Sequence, residues 1–246
     1  MFYAIDRASD LPMIPEILKP TALKDRIIRK LGKPIITSGD IYPGDVVPVS
    51  AMSRSGRETV FPMVWEIHDK GIVHYLVSEQ AASRVFPESW QYRWCVVLAS
   101  YYYQEPDNPE DSNLYAVQPR GSFVYYMAGL YILPEDGFPR FVILTRKATE
   151  DTSDLASKMP VVLKDTTKWI EQSSLPERIL RQKPPRMIYE RIEPREHDFI
   201  AQCAAKQRRT FICDYMINYA SCALRTEEVE LSSNPPPYTH HPDRPG

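Results

Sequence analysis

Glycine, cysteine and long apolar runs are all scarce in this chain. Among 246 residues there are nine glycines against 23 prolines, and four cysteines. No apolar run approaches the roughly 20 residues that span a bilayer, and the N-terminus lacks a basic-then-apolar signal region. We therefore expect a cytoplasmic protein without a membrane segment. The many prolines and 15 tyrosines indicate short strands joined by stiff loops.

Several enzyme signatures are also absent. The sequence has no phosphate-binding P-loop, no glycine-rich dinucleotide motif after a strand, no serine nucleophile elbow and no zinc-protease helix motif. The spacing of the cysteines fits neither a zinc motif nor a small disulfide framework, which favours buried reduced thiols. They are Cys95, Cys203, Cys213 and Cys222. We therefore expect no cofactor.

One pair of histidines is a candidate for a metal site. His68 and His74 lie six residues apart in a strand-rich segment with Glu66 nearby, so an extended strand would place all three on one face. A metal site needs three or four converging ligands, and the sequence shows no further candidate. We expect surface or cross-strand hydrogen bonds here, and no metal.

The charge balance argues against broad, non-specific binding to nucleic acid. The formal net charge is −2, whereas non-specific binding depends on many lysines and arginines that displace counterions. Two local basic segments, 24–30 and 178–186, leave a basic groove open as an alternative to two solvated faces.

The length suits one large domain with additions at its C-terminal end. Residues 128–132 and 141–145 are apolar runs separated by the turn residues Pro134, Asp136, Gly137 and Pro139, which predicts a hairpin. Met159–Leu163 predicts a strand entered through a proline. Asp165 or Thr166 is placed to cap a short helix over 165–171.

The C-terminal end differs from the rest in composition. Residues 195–226 form the longest uninterrupted helical pattern, and we expect an added helix that packs on the domain or makes a homodimer contact. Residues 227–246 contain Pro235–Pro237 and predict a disordered tail. The expected organisation is a domain over 1–194, an added helix over 195–226 and a tail over 227–246.

The order of several segments resembles the SOS-response-associated peptidase (SRAP) family. Residues 128–132 (AGLYI), 141–149 (FVILTRKAT) and 156–163 (ASKMPVVL) are similar to that family's AGLWE, FTILTTEAN and HDRMPVIL runs. Upstream, residues 93–104 and 77–83 are similar to its RCLVPADGFYEW and NARAET runs. The resemblance covers roughly residues 1–190 and three ordered matches make it moderately specific.

The resemblance implies a fold and a partner. The fold would be α+β, a single domain of curved, largely antiparallel, barrel-like sheets with peripheral helices. The partner would be single-stranded or abasic-site DNA. The DNA-facing positions would be Trp65, Gln80, Thr145 and Lys158. Lys158 stands where the family has an arginine, so the charge is kept but the bidentate fork is lost.

The same resemblance implies that the reactive groups are lost. Family members use a cysteine after the initiator Met, an Asn, a Glu and a His to form a durable adduct with the aldehyde of an abasic site. The corresponding positions here are Phe2, Ser78, Gln104 and Ala156. Phe2 has no thiol, Gln104 cannot transfer a proton and Ala156 has no functional group. The resemblance thus favours a pseudoenzyme.

Three hypotheses stay open from the sequence. The first is a catalytically degenerate, non-covalent DNA binder of the DNA damage response. The second is an active abasic-site cross-linking or autopeptidase enzyme with substituted residues, in which the Met1 amine forms a transient imine. The third is a protein-interaction domain without DNA binding.

Overall fold

Strands dominate the part of the chain that the computed structural model describes, which comprises residues 1–5, 22–172 and 175–192. In chain order the strands are β1 (Phe2–Ile5), β2 (Gly39–Ile41), β3 (Val46–Met52), β4 (Glu58–Val64), β5 (Ile67–Asp69), β6 (Ile72–His74), β7 (Leu76–Ser78), β8 (Trp94–Ala99), β9 (Tyr101–Gln104), β10 (Tyr115–Pro119), β11 (Tyr125–Ile132), β12 (Arg140–Lys147), β13 (Lys158–Pro160), β14 (Val162–Leu163) and β15 (Met187–Arg191). The helices are α1 (Ala22–Leu31), α2 (Glu79–Val85), α3 (Pro87–Tyr92), α4 (Thr166–Ile170) and α5 (Pro176–Leu180).

An eight-stranded sheet closes on itself. Its order is β13-β12-β4-β3-β8-β11-β14, with β7 beside β12 and an additional pairing between β11 and β12. The closing contact is a parallel pair, Arg140 with Val64, so β12, β4, β3, β8 and β11 form a ring. The other pairings in that ring are antiparallel. The predicted α+β fold of curved, largely antiparallel strands is confirmed, and so is the predicted hairpin of β11 and β12.

A second sheet of five strands has the order β15-β10-β9-β1-β2, and all its pairings are antiparallel. After β8 the chain crosses from the ring to this sheet at Ser100, whose backbone N–H donates to the Ala4 carbonyl at 2.8 Å. The apolar run over 95–103 has the sequence pattern of one buried strand. The structure divides that run at Ser100 into β8 of the ring and β9 of the second sheet.

Two large apolar cores hold these layers together, and a smaller third one packs Ile27 of α1 against Val46 and Val64. One large core lies between the five-stranded sheet and the ring, and it contains Tyr3 and Tyr102 from the former with Met63 and Phe141 from the latter. The other joins the opposite side of the ring to the helices, where the Trp169 ring stacks on Trp94 with centroids 4.5 Å apart. Burial of large apolar side chains is the dominant favourable term in folding.

Local signals set the helix ends. Asp165 caps α4 by accepting from the Lys168 N–H at 3.1 Å, as predicted. Residues 83–92, with Phe86 and Trp90 four apart, have the sequence pattern of one short helix, but the structure begins a new helix, α3, at Pro87. Gly32 follows α1 with a φ of +63°, a conformation that glycine adopts without strain.

The predicted helix over 195–226 and tail over 227–246 lie outside the described residues. In the described ranges, none of the helices combines the length and the apolar character that crossing a membrane requires.

Candidate functional site

Phe2 is part of a ring stack on the five-stranded sheet. It lies directly opposite Tyr103 in the β1–β9 ladder. Its ring centroid is 4.2 Å from that of Tyr103 and 4.8 Å from that of Tyr42. The Tyr103 hydroxyl donates to Asp40 Oδ1 at 2.7 Å. Burial is the main cause that raises the pKa of Tyr103 far above its usual range, and the hydrogen bonds with Tyr101 and Asp40 raise it further. The hydroxyl therefore stays a neutral donor.

Gln104 faces the other side of the same sheet. Residues opposite each other in a ladder share a face and successive residues alternate, so Phe2 and Tyr103 point one way and Gln104 the other. The Gln104 amide Nε2 donates to the Glu105 carbonyl at 2.7 Å. The structure therefore does not place Phe2 and Gln104 together on one surface.

Ser78 and Thr145 are cross-strand partners in the ring. They are paired in the parallel contact between β7 and β12, and Thr145 is also paired with Pro160 of β13. The Ser78 hydroxyl caps α2 by accepting from the Gln80 N–H at 3.4 Å. Thr145 is buried and its hydroxyl lies 3.4 Å from the Val77 carbonyl, to which it donates. Thr145 therefore offers little surface to DNA.

Ala156 lies in a turn tied to the loop after β9. It is buried, and its N–H donates to the Thr152 carbonyl at 3.0 Å. The neighbouring Ser157 N–H donates to Asp107 Oδ2 at 2.7 Å. The hydrogen bonds from Ser157 lower the pKa of Asp107. The structure thus brings the Gln104 loop and the Ala156 turn together through backbone contacts, without a base or an acid at either position.

Trp65 belongs to the core. It is fully buried, and its indole N–H donates to the Tyr75 carbonyl at 2.8 Å. Its ring meets Tyr3 edge-on at 5.0 Å and lies parallel to Phe141 at 6.4 Å. No face of the ring is left for a nucleobase. The prediction that Trp65 faces DNA is corrected on that ground.

Lys158 has a basic neighbour that the sequence did not single out. Lys158 of β13 is directly opposite Lys147 of β12, and both residues are exposed. Like charges placed opposite each other are unfavourable, and the carboxylate of Asp107, which interacts with Lys158, offsets only part of this charge. The pair is therefore a suitable contact for a phosphate group.

Gln80 is exposed on α2 and lines a cavity of about 320 Å³. Glu79, Trp90, Arg146 and Arg181 also line it. The sequence pointed to Gln80 alone, because Trp90, Arg146 and Arg181 come from separate elements that only the folded chain brings to α2.

The thiol and metal candidates have structural roles. Cys95 is fully buried, and burial raises the pKa of its thiol far above the usual range. His68 and His74 lie on the two strands of the β5–β6 hairpin, opposite Val73 and Ile67, so they face opposite sides. The expectation of a shared face was wrong because a turn separates them. Within 1–5, 22–172 and 175–192, no group of three or more His, Cys, Asp or Glu side chains is placed to hold a metal.

Solved structures support the fold. A protein from Bacteroides thetaiotaomicron is 16% identical, with a TM-score of 0.54 over 63% of this chain and 77% of that chain. A protein from Bordetella bronchiseptica is 14% identical, with a TM-score of 0.53 over 70% and 96%. A phage-related protein from the same organism is 15% identical, with a TM-score of 0.56 over 78% and 94%. At these identities the likeness concerns the fold alone.

Comparison with known sequences gives the family. No curated protein matches this chain. The family model described as SOS response associated peptidase (SRAP) matches residues 33–193, which include Ser78, Gln104 and Ala156. The matched range covers more than half of the chain, from the segment before β2 to the end of β15. The chain therefore belongs to the SOS-response-associated peptidase family.

Proposed function

We propose that this protein is a catalytically degenerate member of its family that binds single-stranded or abasic-site DNA without forming a covalent bond. The observation that carries the proposal is the ring stack at Phe2. Position 2, where the family resemblance places the reactive thiol, is held by a phenyl ring packed between Tyr42 and Tyr103. A hydrocarbon ring can stack, but it cannot attack an aldehyde.

The other three family positions point the same way. The Ser78 hydroxyl caps a helix, the Gln104 amide is bonded to its neighbour's carbonyl, and Ala156 is buried. General acid–base catalysis needs a group that exchanges a proton near the operating pH. A hydroxyl, an amide and a methyl group do not meet that requirement.

Two surfaces support reversible binding of a strand. The lysine pair, Lys147 and Lys158, provides paired positive charge for the phosphate backbone. Tyr42, which stacks on Phe2, is only half-buried, so its ring retains surface on which a base could stack. Stacking on aromatic side chains and contacts to phosphates are the usual components of single-strand binding without sequence preference.

Fluorescence anisotropy with a labelled single-stranded oligonucleotide tests the proposal. One version of the oligonucleotide carries a single abasic site, a second carries none, and both are titrated at low and moderate salt. We expect saturable, fully reversible binding that weakens as salt increases, because phosphate contacts release counterions. Absence of binding at low salt would contradict the proposal and would favour a protein-interaction domain.

A further inference from the structure

The cavity on the helical side of the ring holds a carboxylate that is only partly satisfied. Glu79 is the first residue of α2 and lines this cavity. Its Oε2 atom is buried and has no hydrogen-bond partner. A buried acceptor without a donor costs free energy, so a bound group that supplies N–H donors would be favoured there.

The positive charge of Arg146 acts on the Glu79 carboxylate, but its effect on the pKa is smaller than that of burial. Burial, the larger effect, raises the pKa of Glu79, and the positive charge of Arg146 lowers it. The Arg146 guanidinium is held by the Leu180 carbonyl at 2.9 Å and the Gln182 carbonyl at 3.4 Å, both through Nη1. Arg146 is therefore fixed at the cavity wall by α5 and the residues that follow it.

The remaining lining suits a flat ligand with polar edges, and it includes a second carboxylate, that of Glu177. Trp90 of α3 contributes an indole, Gln80 an amide and Arg181 a second guanidinium. A volume of about 320 Å³ is at the lower end of the range for small-ligand sites. Flipped or unstacked bases are commonly held by an aromatic ring and read by hydrogen bonds along one edge.

We propose that this cavity binds a guanine base, with Glu79 accepting from the guanine N1–H and 2-amino group, Trp90 packing on the base and Arg181 contacting the adjoining phosphate. Guanine has two neighbouring N–H donors on its pairing edge, which match the two oxygens of a carboxylate. Adenine, cytosine and thymine each present only one donor on that edge, so none of them can satisfy both oxygens at once. The last torsion of a glutamate is soft, so either oxygen can turn to the opening.

The placement of this base within a DNA strand rests on the proposed function, because Gln80 lines the cavity and is also one of the expected DNA-facing residues. The base site itself is testable separately. A free nucleotide would bind through contacts in the cavity alone, without Lys147 or Lys158.

Isothermal titration calorimetry of the full chain with 2′-deoxyguanosine 5′-monophosphate is the test. We expect measurable binding of this nucleotide. The inosine nucleotide lacks the 2-amino group that donates to the Glu79 carboxylate, so its affinity should be lower by about tenfold or more. The adenine nucleotide should bind more weakly still. This comparison uses the unmodified protein, so it does not depend on how a variant folds.

Glu79→Gln is the matched variant, and Glu190→Gln on the exposed face of β15 is its control. We expect the first to lose about tenfold or more of the guanine affinity and the second to keep it. Absence of guanine binding, equal binding of guanine and inosine nucleotides, or an unchanged Glu79→Gln variant would each overturn the proposal. If the protein binds the guanine nucleotide but does not bind DNA, the result supports the base site and contradicts the proposed function.

Discussion

Phe2 and Tyr103 face each other across the β1–β9 ladder with their ring centroids 4.2 Å apart. This places position 2 on the outer face of the five-stranded sheet, while Gln104 faces the inner side. Two of the positions that the family resemblance groups in one reaction centre therefore point in opposite directions here. The ring stack is consistent with a surface that binds rather than reacts.

Replacing Phe2 with alanine should reduce both stability and DNA affinity. The substitution removes a half-buried ring that contacts Tyr42 and Tyr103, and we expect the free energy of unfolding to fall by about 1–2 kcal/mol. DNA affinity should fall several-fold in the anisotropy assay, because Phe2 supports the Tyr42 ring on which a base would stack. Tyr103→Phe is the control, since it keeps the ring and removes only the hydroxyl bonded to Asp40. Unchanged urea unfolding in Phe2→Ala would contradict the packing described here.

The lysine pair should control the salt dependence of binding. Each phosphate contact adds about 0.7 to the slope of log affinity against log salt for single strands. The double variant Lys147→Ala/Lys158→Ala should therefore lower the magnitude of the slope by about 1.4 if each lysine contacts one phosphate. Lys164→Ala, an exposed lysine after β14, serves as the control. An unchanged slope in the double variant would place the DNA elsewhere on the protein.

Gly129 should not tolerate a side chain. A Cβ atom there would lie 2.8 Å from Cys95 Sγ and 2.9 Å from the Val142 carbonyl oxygen. The carbonyl belongs to the backbone of β12, so the strands of the closed sheet must shift to make room. We expect Gly129→Ala to lower the free energy of unfolding by about 1–3 kcal/mol, measured by urea denaturation. A variant as stable as the unmodified protein would show that β8, β11 and β12 are less tightly packed than described.

Asp107 should contribute stability that depends on pH. Hydrogen bonds from Ser157 hold its pKa below the ordinary value of 3.8. A group with a lowered pKa in the folded state stabilises the protein above its unfolded pKa, and that contribution is lost as pH falls through the folded pKa. The stability difference between the unmodified protein and Asp107→Asn should therefore shrink between pH 6 and pH 3. The exposed carboxylate limits the difference to less than about 1 kcal/mol.

Glu110→Gln, in the same loop, is the control for Asp107. Its carboxylate is exposed, so we expect little change in stability at any pH. A gap between Asp107→Asn and the unmodified protein that widens as pH falls would contradict the hydrogen bond to Ser157.

Much of the fold could be predicted from local sequence signals. The β11–β12 hairpin and the Asp165 cap depend on turn and capping residues that are close in sequence. Ring closure through Arg140 and Val64 could not be predicted, because it depends on a single parallel contact between distant segments. The break at Ser100 was missed because an apolar run passes through two sheets without a turn residue to mark it.

The candidate site was less predictable than the fold. Family resemblance identifies which residue occupies a position, but not whether its side chain is accessible, and Trp65 is buried by rings from three other segments. Lys147 and the cavity at Glu79 depend on cross-strand register and on helix placement. Neither leaves a periodic pattern in the sequence.

A denaturing gel tests the central claim, the absence of covalent chemistry, most directly. The protein is incubated with a fluorescent single-stranded DNA carrying one abasic site, with and without borohydride, and then resolved under denaturing conditions. We predict that no shifted band survives without borohydride, while the anisotropy assay shows reversible binding of the same DNA. A band that survives without borohydride would be a durable adduct and would contradict the account. A band only with borohydride would reveal a transient imine at an amine and would also contradict the claim of purely non-covalent binding.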